Sequence, residues 1–117
     1  MSISGNPAIS NYNQQSSMTI REVISNIDNQ SEEAVIFAKK ENGKFLPSSE
    51  VVVVELTDEE QETPLEELAE KYCPGFDYFL EVYLVKDLVG ALSNTVGYNS
   101  LQQQIDRIIN YAESDAE

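Results

Sequence analysis

VVVVELTDEEQETPLEELAE, residues 51–70, places three kinds of chain side by side: an apolar β-branched run, an acidic linker and a helix-start pattern. Branched side chains pack well on a pleated surface. A run that is apolar at every position, not at alternate ones, predicts a strand covered on both faces or an inner strand. Thr63-Pro64-Leu65-Glu66 then reads as a helix start, with Thr as N-cap, Pro at the first helical position and Glu at the third. Leu65, Leu68, Ala69 and Tyr72 recur at helical spacing, which turns Glu66, Glu67 and Glu70 to solvent. Pro74-Gly75 ends the helix. Carboxylates near a helix N-terminus complement its dipole by about 0.3–1 kcal/mol each, so part of the acidity is ordinary helix chemistry. The linker itself, Thr57–Glu62, has no such explanation, and no Lys or Arg occurs from residue 45 to residue 70.

Upstream, the opening stretch MSISGNPAISNYNQQSS carries no charge and no apolar period, and reads as a flexible polar tail over residues 1–17. Met18, a candidate internal start, opens an orderly segment. Thr19 and Glu22 form a capping box, and Ile20, Val23, Ile24 and Ile27 make one apolar stripe, predicting a helix over residues 20–28. EAVIFAKK is strand-like, and Asn42-Gly43 after it favours a tight primed turn. This strand and the valine run are expected to pair antiparallel.

Downstream, DYFLEVYLV predicts a third strand with Phe79, Glu81 and Tyr83 on one face and Leu80, Val82 and Leu84 on the other. Asp87 is placed as the cap of a short helix carrying Leu88, Val89, Leu92 and Val96, weakened by Gly90. Ser100 and Gln103 form another capping box, opening a last helix with a stripe of Leu101, Ile105, Ile108 and Ala112. The expected fold class is α+β, a small antiparallel sheet of about three strands with helices packed on it, in the order α-β-β-α-β-α-α. One globular domain is expected over residues 18–113, followed by an acidic frayed end over residues 114–117.

The 117 residues suit a single domain, and 41% hydrophobic content suffices for one modest core. The formal charge of −14 opposes direct binding to nucleic acid or to anionic lipid and favours a basic partner. A single cysteine leaves no internal disulfide. With no secretory-type leader and no apolar run of membrane length, the expected location is cytoplasmic, without membrane contact.

With no histidine in the chain, imidazole chemistry is absent from the inventory. Cys73 lies at a helix C-terminus, where the dipole disfavours a thiolate, and reads as a buried structural residue. The linker lacks the alternation and central glycine of a calcium loop, and the glycines form no phosphate loop. No catalytic residue, metal or cofactor is therefore expected. Glu81 stands out in its apolar surroundings, either facing solvent beside Phe79 and Tyr83 or buried and paired with Lys86, Arg21 or Arg107. Lys39, Lys40 and Lys44 cluster at the Asn-Gly turn, where they guard a strand edge against aggregation.

These properties are those of small, acidic, non-catalytic protein-binding modules, such as inhibitors and immunity-type proteins that neutralise a basic protein. The expected partner-binding residues are Glu55, Asp58, Glu59, Glu60, Glu62, Glu66, Glu67, Glu70 and Tyr72, the carboxylates for steering and the tyrosine as anchor. Two alternatives stand beside this: a nucleic-acid mimic acting against a defence protein, and a housekeeping domain whose acidity only maintains solubility.

Overall fold

The computed structural model describes residues 18–115, and their helices and strands follow the order α-β-β-α-β-α-α. The tail expected over residues 1–17 and the last two residues lie outside the described residues. Helix α1 spans Ile20–Ser25 and starts at the capping box. The Thr19 N–H donates to Glu22 Oε1 at 2.9 Å, and the Glu22 N–H donates to Thr19 Oγ1 at 3.2 Å. The helix is shorter than its stripe suggested. At Asn26 the side-chain amide turns back to donate to the Glu22 carbonyl at 3.0 Å, and Ile27–Asn29 tighten into a 3-10 turn that still buries Ile27.

Strand β1, Ala34–Ala38, is buried at every position. It lies in the middle of the sheet, antiparallel to β2 (Val51–Glu55) on one side and to β3 (Asp77–Glu81) on the other, giving the order β2-β1-β3. The valine run is thus covered on both faces yet stands at an edge, and the inner place falls to AVIFA. Between β1 and β2 the Asn-Gly turn forms as expected. Asn42 and Gly43 both take positive φ, 56° and 79°, as a primed turn requires. Glu41 and Lys44 close it with reciprocal backbone bonds of 2.8 and 3.2 Å. The chain then folds inward, and Phe45 packs edge-to-face on Phe79 with ring centroids 5.1 Å apart.

Alternation along β1 divides the interior in two. Ala34, Ile36 and Ala38 face a larger core closed by α1, by α3 (Val82–Ser93) and by α4 (Leu101–Asp115). Val35 and Phe37 face a smaller core closed by α2, Leu65–Tyr72, through Leu68, Ala69 and the end residue Cys73. The fold has a helical layer on each side of the sheet. Helix α4 starts at its expected box, with the Ser100 N–H donating to Gln103 Oε1 and the Gln103 N–H to Ser100 Oγ, each at 3.2 Å. Of its predicted stripe, Ile105, Ile108 and Ala112 are fully buried, whereas Leu101 is 42% exposed.

The third strand departs from its sequence reading. It ends at Glu81, and Val82–Val85, expected as strand, open α3. Val82 and Val85 are buried, and Leu88, Val89 and Leu92 pack beside them, so the segment carries a 3.6-residue stripe that its branched and aromatic residues disguise as β. Asp87 is consequently inside a helix and not at a cap. Val96, expected on the helical stripe, lies beyond the helix and is 95% exposed. The predicted faces of the strand also change. Ile36 opposes Leu80 and Phe37 opposes Tyr78, leaving Phe79 as the extra residue of a β-bulge. The bulge sends both Phe79 and Leu80 into the larger core.

Truncating Phe79 to Ala removes a fully buried ring from the junction of the sheet, Phe45 and the helices. We expect a loss of about 3–5 kcal/mol in urea unfolding, whereas Val96→Ala changes stability by no more than about 0.5 kcal/mol. Comparable losses in the two variants would contradict this packing.

Candidate functional site

The acidic linker has a structure of its own. Thr57 and Glu60 form a third capping box, in which the Thr57 N–H donates to Glu60 Oε1 at 3.1 Å and the Glu60 N–H donates to Thr57 Oγ1 at 3.2 Å. The box shapes a 3-10 turn over Glu60–Glu62. The other carboxylate oxygen of Glu60 accepts from Lys71 Nζ at 2.8 Å and from the hydroxyl of Tyr72. Glu60 is only 9% exposed despite lying in the most acidic part of the chain. Its partners, with Lys71 and Tyr72 foremost, hold its carboxyl at about pH 2 for half-protonation. The same contact raises the pKa of Lys71 and, by the hydrogen bond to Glu60, that of Tyr72. The linker is thereby strapped to the last turn of α2.

This strap sorts the expected binding residues. Glu55, Asp58, Glu59, Glu62, Glu66, Glu67 and Glu70 are exposed. Glu60 turns inward and is committed to Lys71 and Tyr72. Tyr72 remains 41% exposed, but its hydroxyl is engaged by Glu60. Helix α2 itself starts one residue later than its sequence reading, with Pro64 at the cap position. Leu68 and Ala69 face the sheet, and Glu66, Glu67 and Glu70 face out, as the spacing predicted.

Two grooves flank this helix. One, of about 490 Å³, lies between α2 and the turn into β3, with Leu65, Phe76 and Tyr78 as its apolar lining and Glu66, Glu70 and Asp77 at its rim. The other, of about 340 Å³, lies at the N-terminal end of the helix, where Val35, Leu56 and Leu65 meet Glu32, Glu33 and Glu81. The sequence reading left Glu81 either facing solvent beside Phe79 and Tyr83 or buried and paired with Lys86, Arg21 or Arg107. Glu81 is half-buried and accepts a bond from the Tyr78 hydroxyl at 3.4 Å, not from Lys86, Arg21 or Arg107. Lys86 instead approaches Glu32 at 3.7 Å. Burial, with the Glu81 charge beside it, pushes the Tyr78 phenol up to about 12, so it stays a donor at neutral pH.

The linker's role was legible in part. Thr57 and Glu60 carry the same T-x-x-E signature as Thr19 and Glu22. No apolar helical stripe follows them, so the pattern does not announce itself as a cap. The pairing with Lys71 and Tyr72 spans separations of 11 and 12 residues and has no local signal. The grooves combine residues from β1, β3, α2 and the linker, which only the tertiary structure assembles. Cys73 is buried, and burial pushes its thiol pKa up, away from nucleophile chemistry. Among the described residues no group of three or more His, Cys, Asp or Glu is placed to hold a metal ion, and no helix is long and apolar enough to cross a membrane.

Residues 17–116 match the family model described as Domain of unknown function (DUF7716), and the chain belongs to that family. No curated protein and no solved structure matches it significantly.

The strap has a pH signature. Because the Glu60 pKa is depressed in the folded state, its stabilisation is fully present above the ordinary value of 4.5 and fades as pH falls towards about 2. Glu60→Gln should therefore melt below the unaltered protein by a constant interval from pH 8 to about 5. The two melting curves should converge as acid protonates Glu60. Circular dichroism melts across that range read the difference, and an interval that widens in acid would contradict the assignment.

Proposed function

We propose that this member of the family is a small, non-catalytic, cytoplasmic protein-binding module of the inhibitor or immunity type, whose acidic face neutralises a basic protein partner. The observation that supports it most is the state of the carboxylates around α2. Glu66, Glu67, Glu70 and Asp77 are exposed beside a groove with apolar lining, and none is in an ion pair among the described residues. The helix's own cation, Lys71, is already committed to Glu60. The face thus presents negative charge with little internal compensation.

Such a face acts first at long range. A chain of charge −14 attracts a cationic surface through a field screened over about 8 Å at physiological salt, which raises the association rate. Apolar contact in the grooves then slows dissociation. A non-catalytic role also agrees with the side chains available. The chain has no histidine, the Cys73 thiol is buried, and the most perturbed carboxylate, Glu60, is displaced towards stronger acidity and locked in hydrogen bonds. A general acid needs the opposite shift.

The test compares the unaltered chain with the triple variant Glu66→Gln, Glu67→Gln, Glu70→Gln as bait in nuclease-treated lysate of the source organism. A basic protein should be retained by the unaltered chain, released by salt, and bound at least about tenfold more weakly by the variant, with the on-rate carrying most of the change. For the purified pair, raising salt from about 50 to about 500 mM should slow association far more than it speeds dissociation. Equal retention by the variant would reduce the acidity of α2 to a solubilising role.

A further inference from the structure

The two grooves beside α2 are parts of one trough. They share Leu65, and Tyr78 in the first reaches Glu81 in the second through its hydroxyl. Tyr78 and Glu81 both belong to β3, so the trough follows that strand. In the sheet order β2-β1-β3 this is an outer strand, and among the described residues no strand pairs with its far edge. Half-buried apolar side chains line the trough, with Leu65 at the junction of its two halves. Carboxylates stand at both halves, Glu66, Glu70 and Asp77 on one and Glu32, Glu33 and Glu81 on the other, and neither half is lined by Lys or Arg.

We infer that this trough takes an extended segment of a basic protein partner, in which one apolar residue seated at Leu65 is flanked on both sides by Arg or Lys. This rests on the reading of the protein as a binder of basic proteins and adds the place and the pattern recognised. An extended segment suits a trough whose apolar lining passes from Phe76 and Tyr78 through Leu65 to Leu56 and Val35. Long cationic side chains suit a lining of this kind, because their alkyl stems lie on apolar surface while their heads reach carboxylates. The guanidinium of an arginine also stacks on aromatic faces such as those of Phe76 and Tyr78. Glu32 already has Lys86 at 3.7 Å, so the half of the trough bearing Glu66, Glu70 and Asp77 is the stronger cation site. A multivalent small cation would use the carboxylates alone and gain nothing from Leu65.

The experiment uses the full chain, isotopically labelled, with three probes: a blocked peptide with two arginines on each side of a leucine, the same peptide with serine in place of leucine, and spermine. At about 50 mM salt the leucine peptide should bind roughly tenfold more tightly than the serine peptide, the scale of burying one aliphatic side chain. Amide shift changes should centre on Leu65, Phe76, Tyr78 and Glu81. Leu65→Ser, checked for an otherwise unchanged spectrum, should bring the leucine peptide down to the affinity of the serine peptide. Equal affinities of the two peptides, or spermine binding as tightly as the leucine peptide, would overturn the trough while leaving charge-led binding of a basic protein intact. Failure of both peptides to bind at about 1 mM would overturn the trough and the charge-led reading together.

Discussion

Strand β1 has five consecutive buried residues and a hydrogen-bonded neighbour on each side. A strand so placed has no free edge, and both its faces must be covered. Ile36 and the two alanines require one layer, and Val35 and Phe37 require another. The larger layer is supplied by α1, α3 and α4. The smaller falls to α2, whose eight residues would not hold a helix in isolation. Leu68 and Ala69 give it a footing on the sheet, and the strap from Glu60 fixes its last turn. Covering β1 on this side is therefore what brings the acidic linker against the body of the domain.

That arrangement explains how so negative a chain tolerates its own charge. Seven cationic residues face twenty-one carboxylates, so most acids have no cation to meet. Glu60 receives one of the few, together with a hydroxyl and a backbone N–H, and becomes the carboxylate that organises the linker. Most of the other described carboxylates are exposed to water, where screening limits their mutual repulsion. Burying one well-bonded acid while most of the other described carboxylates stay exposed gives a fixed scaffold under a strongly negative surface. Carboxylates carried on an ordered helix keep a fixed spacing, whatever lies beyond them in solution.

Several features encoded within four residues were legible in the sequence. The boxes at Thr19/Glu22 and Ser100/Gln103 and the Asn42-Gly43 turn all form, because their hydrogen bonds close locally and depend little on what lies elsewhere. The segment after Glu81 misled for an equally physical reason. Val82, Tyr83, Leu84 and Val85 favour a strand, yet their apolar positions also satisfy a helical stripe, and packing against the larger core decides between the two. The bulge at Phe79 was hidden as well, since register is a property of paired strands and not of either alone.

The sequence by itself determined the α+β class, the order of elements and a strongly acidic charge. Each follows from composition or from patterns that repeat within one element. The tertiary structure decided which strand is central, which glutamate turns inward, and where apolar surface and carboxylates meet. Those outcomes depend on contacts between distant residues, as when Lys71 meets Glu60 or when Leu65 comes to lie between Phe76 and Leu56. Twenty-one similar carboxylates are indistinguishable along the chain. They become different only when folding gives each one its own neighbours and its own access to water.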